Sequence, residues 1–257
     1  MLSVFSLLWL TFATFRAVPP PQPTPAPTMQ DVAYLMGRFE PSTHPDFVLL
    51  DLKYASEDKM YLRRDAFAAF LKMNEQARRD GILLRIVSAT RNFARQREIW
   101  ENKWSGKTLV AGKNLATTIP DPTERARKIL TYSSMPSTSR HHWGTDIDLN
   151  SVDPKYFNTT KGSREYAWLV KNAPTFGFGQ PYTAKNTYKG KTIKAIRTGY
   201  EEEKWHWSYL PVSKILLANY AAHIKDTNIS GFSGAETAVA IGMVANYVGG
   251  VHDSCKQ

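Results

Sequence analysis

The spacing of apolar side chains along the chain predicts a set of helices and short strands. Between Arg63 and Arg79, apolar residues recur every three to four positions, as on one buried helix face, and Asp80-Gly81 marks the end. Further helices are predicted over Phe93–Trp104, Thr123–Tyr132, Tyr166–Asn172 and Ala235–Tyr247. Strands are predicted over Phe47–Leu52, Ile82–Ser88, Gly144–Leu149 and Trp205–Tyr209. Helices that come early, with strands later, favour an α+β domain.

The predicted strand Gly144–Leu149 separates acidic from apolar side chains. Because neighbouring side chains of a strand point to opposite faces, Ile147 and Leu149 share one face and Asp146 and Asp148 share the other. We therefore expect one face of this strand to lie in the core, while the other carries carboxylates.

The N-terminal part of the chain differs in composition from the rest. An apolar run from Leu2 to Phe15 is too short to span a bilayer comfortably and resembles the core of a signal peptide, although no basic residue precedes it. The stretch Pro19–Thr28, PPPQPTPAPT, is typical of an extended spacer. The predicted organisation is a signal peptide or N-terminal anchor (1–18), a Pro-rich linker (19–30), a main folded domain (31–227) and a C-terminal helical extension (228–257). A cytosolic chain with a buried N-terminal helix is the alternative.

Charge and cysteine content narrow the classes of partner and metal site. The formal net charge of +10 favours anionic partners such as nucleic acid, acidic lipid or an acidic cell-wall polymer. The basic residues are scattered in short clusters, which argues against a nucleic-acid-binding arm and is also typical of a solvated surface. The single cysteine, Cys255, excludes a thiolate zinc site in the main body, so any metal must be held by His, Asp or Glu.

Two segments carry residues suited to metal chemistry. The first, SRHHWGTDID, runs from Ser139 to Asp148, and the second, EKWHW, runs from Glu203 to Trp207. A catalytic zinc site needs three protein ligands and an open position for water. A histidine, an aspartate across a glycine turn and a distant histidine satisfy that count, and a carboxylate beside the last ligand could take a proton from the water.

Structural roles for the same residues stay open at this point. The His-His-Trp sequence is also compatible with an aromatic core, and the aspartates with turn caps or with pairing to arginine. His142 competes with His141 as a ligand, and Asp146 competes with Asp148.

The two segments resemble the zinc D-alanyl-D-alanine carboxypeptidases of the VanY type. The first matches Ser-x-His-x-x-Gly-x-x-x-Asp and the second matches Glu-x-Trp-His, while Ser88–Gln96 resembles the upstream Ser-x-x-Arg stretch of that family. The similarity covers about Tyr34 to Leu210. It implies an α+β fold with a central antiparallel sheet flanked by helices, shared with the VanX dipeptidases and the hedgehog signalling domain.

The resemblance also implies roles for individual residues. It implies one zinc ion per chain held by His141, Asp148 and His206, with Glu203 as general base and acid. It implies Arg91 as the group that stabilises the oxyanion, and Ser139 and Gln96 as substrate contacts. This sequence departs from the family at Asp146, where a small apolar residue is usual, so Asp146 could compete as a ligand.

The implied function is removal of a terminal D-amino acid from peptidoglycan stem peptides outside the cytoplasm, in the periplasm or at the cell surface. Three alternatives stay open: an L,D-carboxypeptidase, a D,D-endopeptidase, and a non-catalytic zinc-containing module that binds the cell wall. No nucleic-acid partner is expected.

Overall fold

The computed structural model describes residues 29–185, 187–188, 191–192 and 197–256. The predicted signal peptide and nearly all of the predicted linker lie outside these residues. Within the described ranges, no helix combines the length and the apolar character needed to cross a membrane.

A four-stranded antiparallel sheet occupies the centre of the fold. Its strands are β3 (Ile86–Ser88), β4 (Asp146–Leu149), β5 (Phe178–Gly179) and β8 (His206–Tyr209), in the spatial order β3-β4-β8-β5. Two further pairs are formed by β1 (Phe47–Leu49) with β2 (Tyr61–Arg63), and by β6 (Thr187–Tyr188) with β7 (Lys191–Thr192). The predicted α+β class with a central antiparallel sheet is confirmed, and each predicted strand is present in a shorter form.

Helices lie around this sheet. They are α1 (Met29–Leu35), α2 (Arg64–Arg79), α3 (Phe93–Trp104), α4 (Leu115–Thr118), α5 (Pro122–Ile129), α6 (Thr160–Asn172), α7 (Leu210–His223) and α8 (Thr237–Ile241). Helix α2 buries Phe70 and Met73 on the face that the apolar spacing predicted. These side chains belong to one apolar cluster with Ile147 and Trp207 of the sheet, so α2 covers the apolar face of β4 and β8.

A second apolar cluster includes residues from the C-terminal part of the chain. Trp100, Trp143 and Tyr220 lie in the same cluster as Ile241 and Val251. The indole of Trp100 also donates a hydrogen bond to the carbonyl of Ser233 at 2.8 Å. Residues 229–255 therefore pack directly against α3 and α7.

Several helices differ from the sequence-based prediction: α1, α4 and α7 were not predicted, and α6 begins at Thr160 instead of Tyr166. The helix predicted over Ala235–Tyr247 is interrupted, because Gly242 adopts a left-handed conformation with φ of 66° and ends α8. Helix α7 was not predicted: it buries Ser213, Leu217 and Tyr220 but has apolar residues around its whole circumference, so it shows no clear periodic stripe.

Candidate active site

A cleft of about 770 Å³ opens beside the polar face of the central sheet. Residues of β3, β4 and β8 contribute to its lining, together with one side of α3. Six residues predicted from the two motifs and the arginine stretch line this cleft: Arg91, Gln96, His141, Asp148, Glu203 and His206.

The register of β4 and β8 brings distant parts of the chain together. Asp148 lies directly opposite His206, and Asp146 lies directly opposite Ser208. The intervening pair, Ile147 and Trp207, points into the apolar cluster on the other face. Alternation along two neighbouring strands thus collects four polar side chains on one face.

A short 3-10 turn places His141 at the edge of this polar face. The turn spans Arg140–Trp143 and ends at Gly144, which has φ of 68°. A Cβ atom at Gly144 would lie 2.4 Å from the ring of Phe47. Only glycine fits this left-handed position next to an aromatic ring, and the chain can therefore turn directly from His141 into β4.

Donor atoms of three side chains converge at one point. Nε2 of His141 lies 3.4 Å from Oδ1 of Asp148, and Nδ1 of His206 lies 3.4 Å from the same oxygen. One donor atom from each of the three residues lies within 4.8 Å of the others. The structure therefore brings together the three residues predicted as metal ligands.

Hydrogen bonds to the opposite ring nitrogens fix how both imidazoles face this point. Nδ1 of His141 donates to the carbonyl of Ala89 at 2.8 Å. Nε2 of His206 lies 2.8 Å from Oδ2 of Asp146, a carboxylate that can only accept. With each ring neutral, as metal binding requires, the lone pair of its other nitrogen would face the shared point, which is how metal-binding histidines are normally oriented.

Neighbouring cationic and imidazole groups keep the Asp148 carboxylate ionised at the centre of the cluster. Oδ1 of Asp148 is buried and has no hydrogen-bond partner among the described residues. Burial opposes ionisation of Asp148, but His141, His206 and Arg91 keep its pKa below the usual range. Burial also opposes the charged form of His206, but hydrogen bonds to Asp146 and Glu203 raise its pKa to about 9. Two imidazole nitrogens and a buried carboxylate oxygen fit the ligand chemistry of zinc.

Glu203 lies beside the converging donors without taking part in the triad. Its Oε2 is 3.1 Å from Nδ1 of His206, and burial raises the pKa of its carboxyl. Two hydrogen bonds hold its backbone: its N–H donates to the carbonyl of Tyr182, and its carbonyl accepts from the side-chain amide of Gln180. A fixed, buried carboxylate at this place suits a general base.

Arg91 lies just after β3, faces Asp148 and is held by its neighbours. Its Nη1 lies 3.6 Å from Oδ2 of Asp148 and donates to the Ser88 hydroxyl, while its Nε donates to Oε1 of Gln96 at 2.9 Å. The amide of Gln96 in turn donates to the carbonyl of Ser134 at 2.8 Å. Gln96 therefore fixes the guanidinium, and its predicted contact with substrate stays a prediction.

His142 and Ser139 lie near the predicted ligand His141 in sequence, but neither faces the converging donors. Nδ1 of His142 donates to the carbonyl of Arg91 at 2.5 Å, and its Nε2 accepts from the N–H of Ser137 at 3.1 Å. Burial lowers the pKa of His142 to about 3, so this ring is neutral and has no free nitrogen for a metal. Ser139 is buried and lies outside the cleft lining, and its predicted contact with substrate stays a prediction.

Lys103 is a cleft residue that the motifs did not indicate. It lies seven positions after Gln96 on α3, and both side chains reach the cleft. Its ammonium hydrogen-bonds to the Ser133 hydroxyl, and burial, with Arg91 nearby, lowers its pKa. A spacing of seven places two residues on the same helix face, and this spacing is the signal that could have identified Lys103.

Comparison with known proteins places the chain in a family. Residues 59–212 match the family model described as VanY: D-alanyl-D-alanine carboxypeptidase. YodJ of Bacillus subtilis (strain 168) is 30% identical over 181 residues, which cover 68% of this chain but 56% of YodJ, so the chain spans a little over half of that relative. The solved structure of the LdcB LD-carboxypeptidase is 24% identical with a TM-score of 0.47, and the match covers 67% of this chain and 70% of the LdcB chain. VanYB in complex with D-alanine-D-alanine is 21% identical with a TM-score of 0.46, and the match covers 68% of this chain and 84% of the VanYB chain. Because the family model matches more than half of its residues, this chain belongs to the VanY family of D-alanyl-D-alanine carboxypeptidases.

Proposed function

We propose that this protein is a zinc metallopeptidase that removes the terminal D-alanine from peptidoglycan stem peptides ending in D-Ala-D-Ala. The observation that carries the proposal is the convergence of Nε2 of His141, Oδ1 of Asp148 and Nδ1 of His206 beside the carboxylate of Glu203. Membership of the VanY family supports the choice of substrate.

The residues around the cluster divide the chemistry between them. A bound zinc ion would supply a Lewis acid that polarises the scissile carbonyl and lowers the pKa of water. Glu203 takes a proton from the attacking water and passes it to the leaving amine, and its raised pKa brings it closer to the working pH. Arg91 stabilises the negative charge that develops on the carbonyl oxygen, and such a donor contributes roughly 3–4 kcal/mol.

The rest of the cleft suits an extended peptide that carries a carboxylate at one end. Its volume of about 770 Å³ is ample for several residues of a stem peptide. Arg91, Arg95 and Lys103 supply positive charge beside α3, while Glu40, Glu57 and Asp58 also line the cleft. Cations grouped on one side of a cleft attract the carboxylate of a substrate to that side.

We also propose that the protein acts outside the cytoplasm. The proposal rests on the apolar run from Leu2 to Phe15 and on the following Pro-rich stretch. Cell fractionation with an antibody against the folded domain would test it, and a chain found in the cytosol with Met1 intact would contradict it.

An L,D-carboxypeptidase or a D,D-endopeptidase would use the same metal ligands and the same base. A binding module with a structural zinc is a weaker candidate. A purely structural site needs no buried carboxylate beside its ligands, whereas Glu203 is held 3.1 Å from a candidate ligand.

The decisive experiment follows D-alanine release from a peptide ending in D-Ala-D-Ala, with peptides ending in L-Ala and in L-Lys-D-Ala for comparison. We expect the Glu203→Gln variant to keep its zinc and its fold but to lose kcat by about 100-fold or more, as general-base contributions require. The matched control is Glu201→Gln, because Glu201 is exposed and pairs with Lys185. Equal release by wild type and Glu203→Gln would show that the base lies elsewhere. Preference for L-Lys-D-Ala would favour the L,D activity.

A further inference from the structure

We infer that Asp146 is a positioning residue for His206, whose imidazole it holds so that Nδ1 faces the candidate metal site. This inference rests on the proposed metal site. It assigns a role to the one residue of the first motif that departs from the small apolar residue usual in the family.

The two aspartates of β4 contact opposite sides of the same ring. Oδ2 of Asp146 lies 2.8 Å from Nε2 of His206, while Oδ1 of Asp148 lies 3.4 Å from Nδ1. Because Asp148 and His206 are cross-strand partners and Asp146 lies two residues earlier on the same face, the ring is held between the two carboxylates.

Asp146 has no acceptor capacity left for a metal. Its Oδ2 also accepts from Nε of Arg140 at 2.9 Å, and its Oδ1 accepts from the hydroxyls of Thr145 at 2.7 Å and Ser208 at 2.8 Å. Four such bonds fill the usual acceptor sites of a carboxylate. Asp146 is fully buried and lies outside the cleft lining. It therefore acts on the metal site through His206 and is not itself a ligand.

The group that fixes Asp146 is itself rigidly held. Arg140 and Asp146 form an ion pair in which both side chains are fully buried. Nη2 of Arg140 donates to the Ser208 hydroxyl at 2.6 Å, and its guanidinium lies over the ring of Trp143, 4.7 Å from the centroid. The Asp146 carboxylate is thus held in one orientation, and its hydrogen bond holds the imidazole of His206 in one orientation as well.

Stability alone is a poor reason for this buried pair. Removing two charges from water costs several kcal/mol per ion, and apolar residues of similar volume are often as stable or more so. An anionic acceptor behind a metal-binding imidazole, in contrast, fixes its tautomer and raises its affinity for metal. Loss of such a partner typically weakens metal binding about 10- to 100-fold.

The test separates positioning from a purely structural ion pair. Asp146→Ala alone leaves Arg140 buried without a partner, so the informative variants are Asp146→Asn and the double variant Arg140→Met/Asp146→Ala. The full chain is stripped of metal, its Tm is measured, and the zinc Kd is determined by competition with a chelator of known affinity. The visible spectrum of the Co(II)-substituted protein reports the geometry of the site independently of activity.

If Asp146 positions His206, the double variant recovers a Tm close to that of wild type, but its zinc Kd stays about 10- to 100-fold higher and its Co(II) spectrum changes. The same weakening is expected for Asp146→Asn, since a neutral amide is a poorer acceptor. The control Asp65→Asn breaks the partly exposed pair with Arg63 and should change the zinc Kd by less than about twofold.

Recovery of both Tm and zinc Kd in the double variant would show a structural pair only and would overturn this inference alone. If the wild type binds no zinc, the proposed metal site fails, and the inference fails with it.

Discussion

At the scale of single residues, the two candidate histidine ligands are oriented by different means. A backbone carbonyl, that of Ala89, holds His141, whereas a buried carboxylate, Asp146, holds His206. The motifs predicted which residue types meet, because a metal site requires a fixed set of donors. They could not predict which ring nitrogen faces the site, since that depends on partners brought close by strand register and by the path of the chain after β3.

The neighbouring histidines provide the first prediction. We expect His141→Ala to lose most of its zinc, because Nε2 of this ring is one of the three converging donors. We expect His142→Ala to keep close to one zinc per chain and to lose about 2–3 kcal/mol of unfolding free energy, since its ring bridges two backbone groups and fills a buried space. Metal analysis of both purified proteins, with urea unfolding, measures the two effects. Loss of zinc in His142→Ala with retention in His141→Ala would show that His142, and not His141, is the ligand.

At the scale of secondary structure, long periodic segments were predictable and local interruptions were not. The apolar spacing of Arg64–Arg79 predicted α2 to within one residue. In contrast, α7 was not predicted, because it has apolar residues on all sides. The last predicted helix extends past Gly242, although that residue ends α8. Sequence periodicity detects a helix whose apolar residues lie on one face, but it does not detect a helix that also carries apolar residues such as Ile215 on its exposed side, or a left-handed break.

The turn into β4 gives a prediction about one backbone position. Gly144→Ala would place a Cβ atom 2.4 Å from the Phe47 ring at a φ of 68°, so we expect a loss of more than about 2 kcal/mol of unfolding free energy. The matched control is Gly112→Ala, which has φ of 75° but no atom within 4 Å of the new Cβ. In that variant only the left-handed backbone conformation is unfavourable, so we expect it to lose about 1 kcal/mol of unfolding free energy. Equal losses in urea unfolding would show that contact with Phe47 does not constrain the turn.

Helix α3 supports a prediction about substrate binding. Lys103 and Gln96 share the face of α3 that borders the cleft, and the Lys103 ammonium is partly buried there. If this cation meets the free carboxylate of the peptide, Lys103→Gln raises KM about 10-fold with little change in kcat, because the contact is made equally in the ground state and the transition state. The exposed Lys107, just after α3, provides the control Lys107→Gln. A fall in kcat at unchanged KM would place Lys103 in the chemical step instead.

At the scale of the whole molecule, the site lies where a polar sheet face meets two separate apolar clusters. Ile147 and Trp207 belong to the cluster under α2, while Trp143 belongs to the cluster that includes the C-terminal residues. The sequence predicted the alternation that creates the polar face. It did not predict that residues 229–255 complete the second cluster, because contacts such as Trp100 with Ser233 join segments that no local pattern connects.

Metal removal should therefore affect the stability of the whole domain. The three donors come from the turn before β4, from β4 and from β8, so a bound ion links segments that are far apart in sequence. A ligand that binds only the native state stabilises it by about 4 kcal/mol at a free concentration a thousandfold above its Kd, which raises Tm by roughly 10 °C for a domain of this size. We expect a chelator to lower Tm by this amount and added zinc to restore it, whereas His206→Ala should respond little to either. Differential scanning calorimetry on protein of known metal content measures the shift. If protein that holds one zinc per chain melts at the same temperature with and without chelator, the ion does not connect these segments in the folded state.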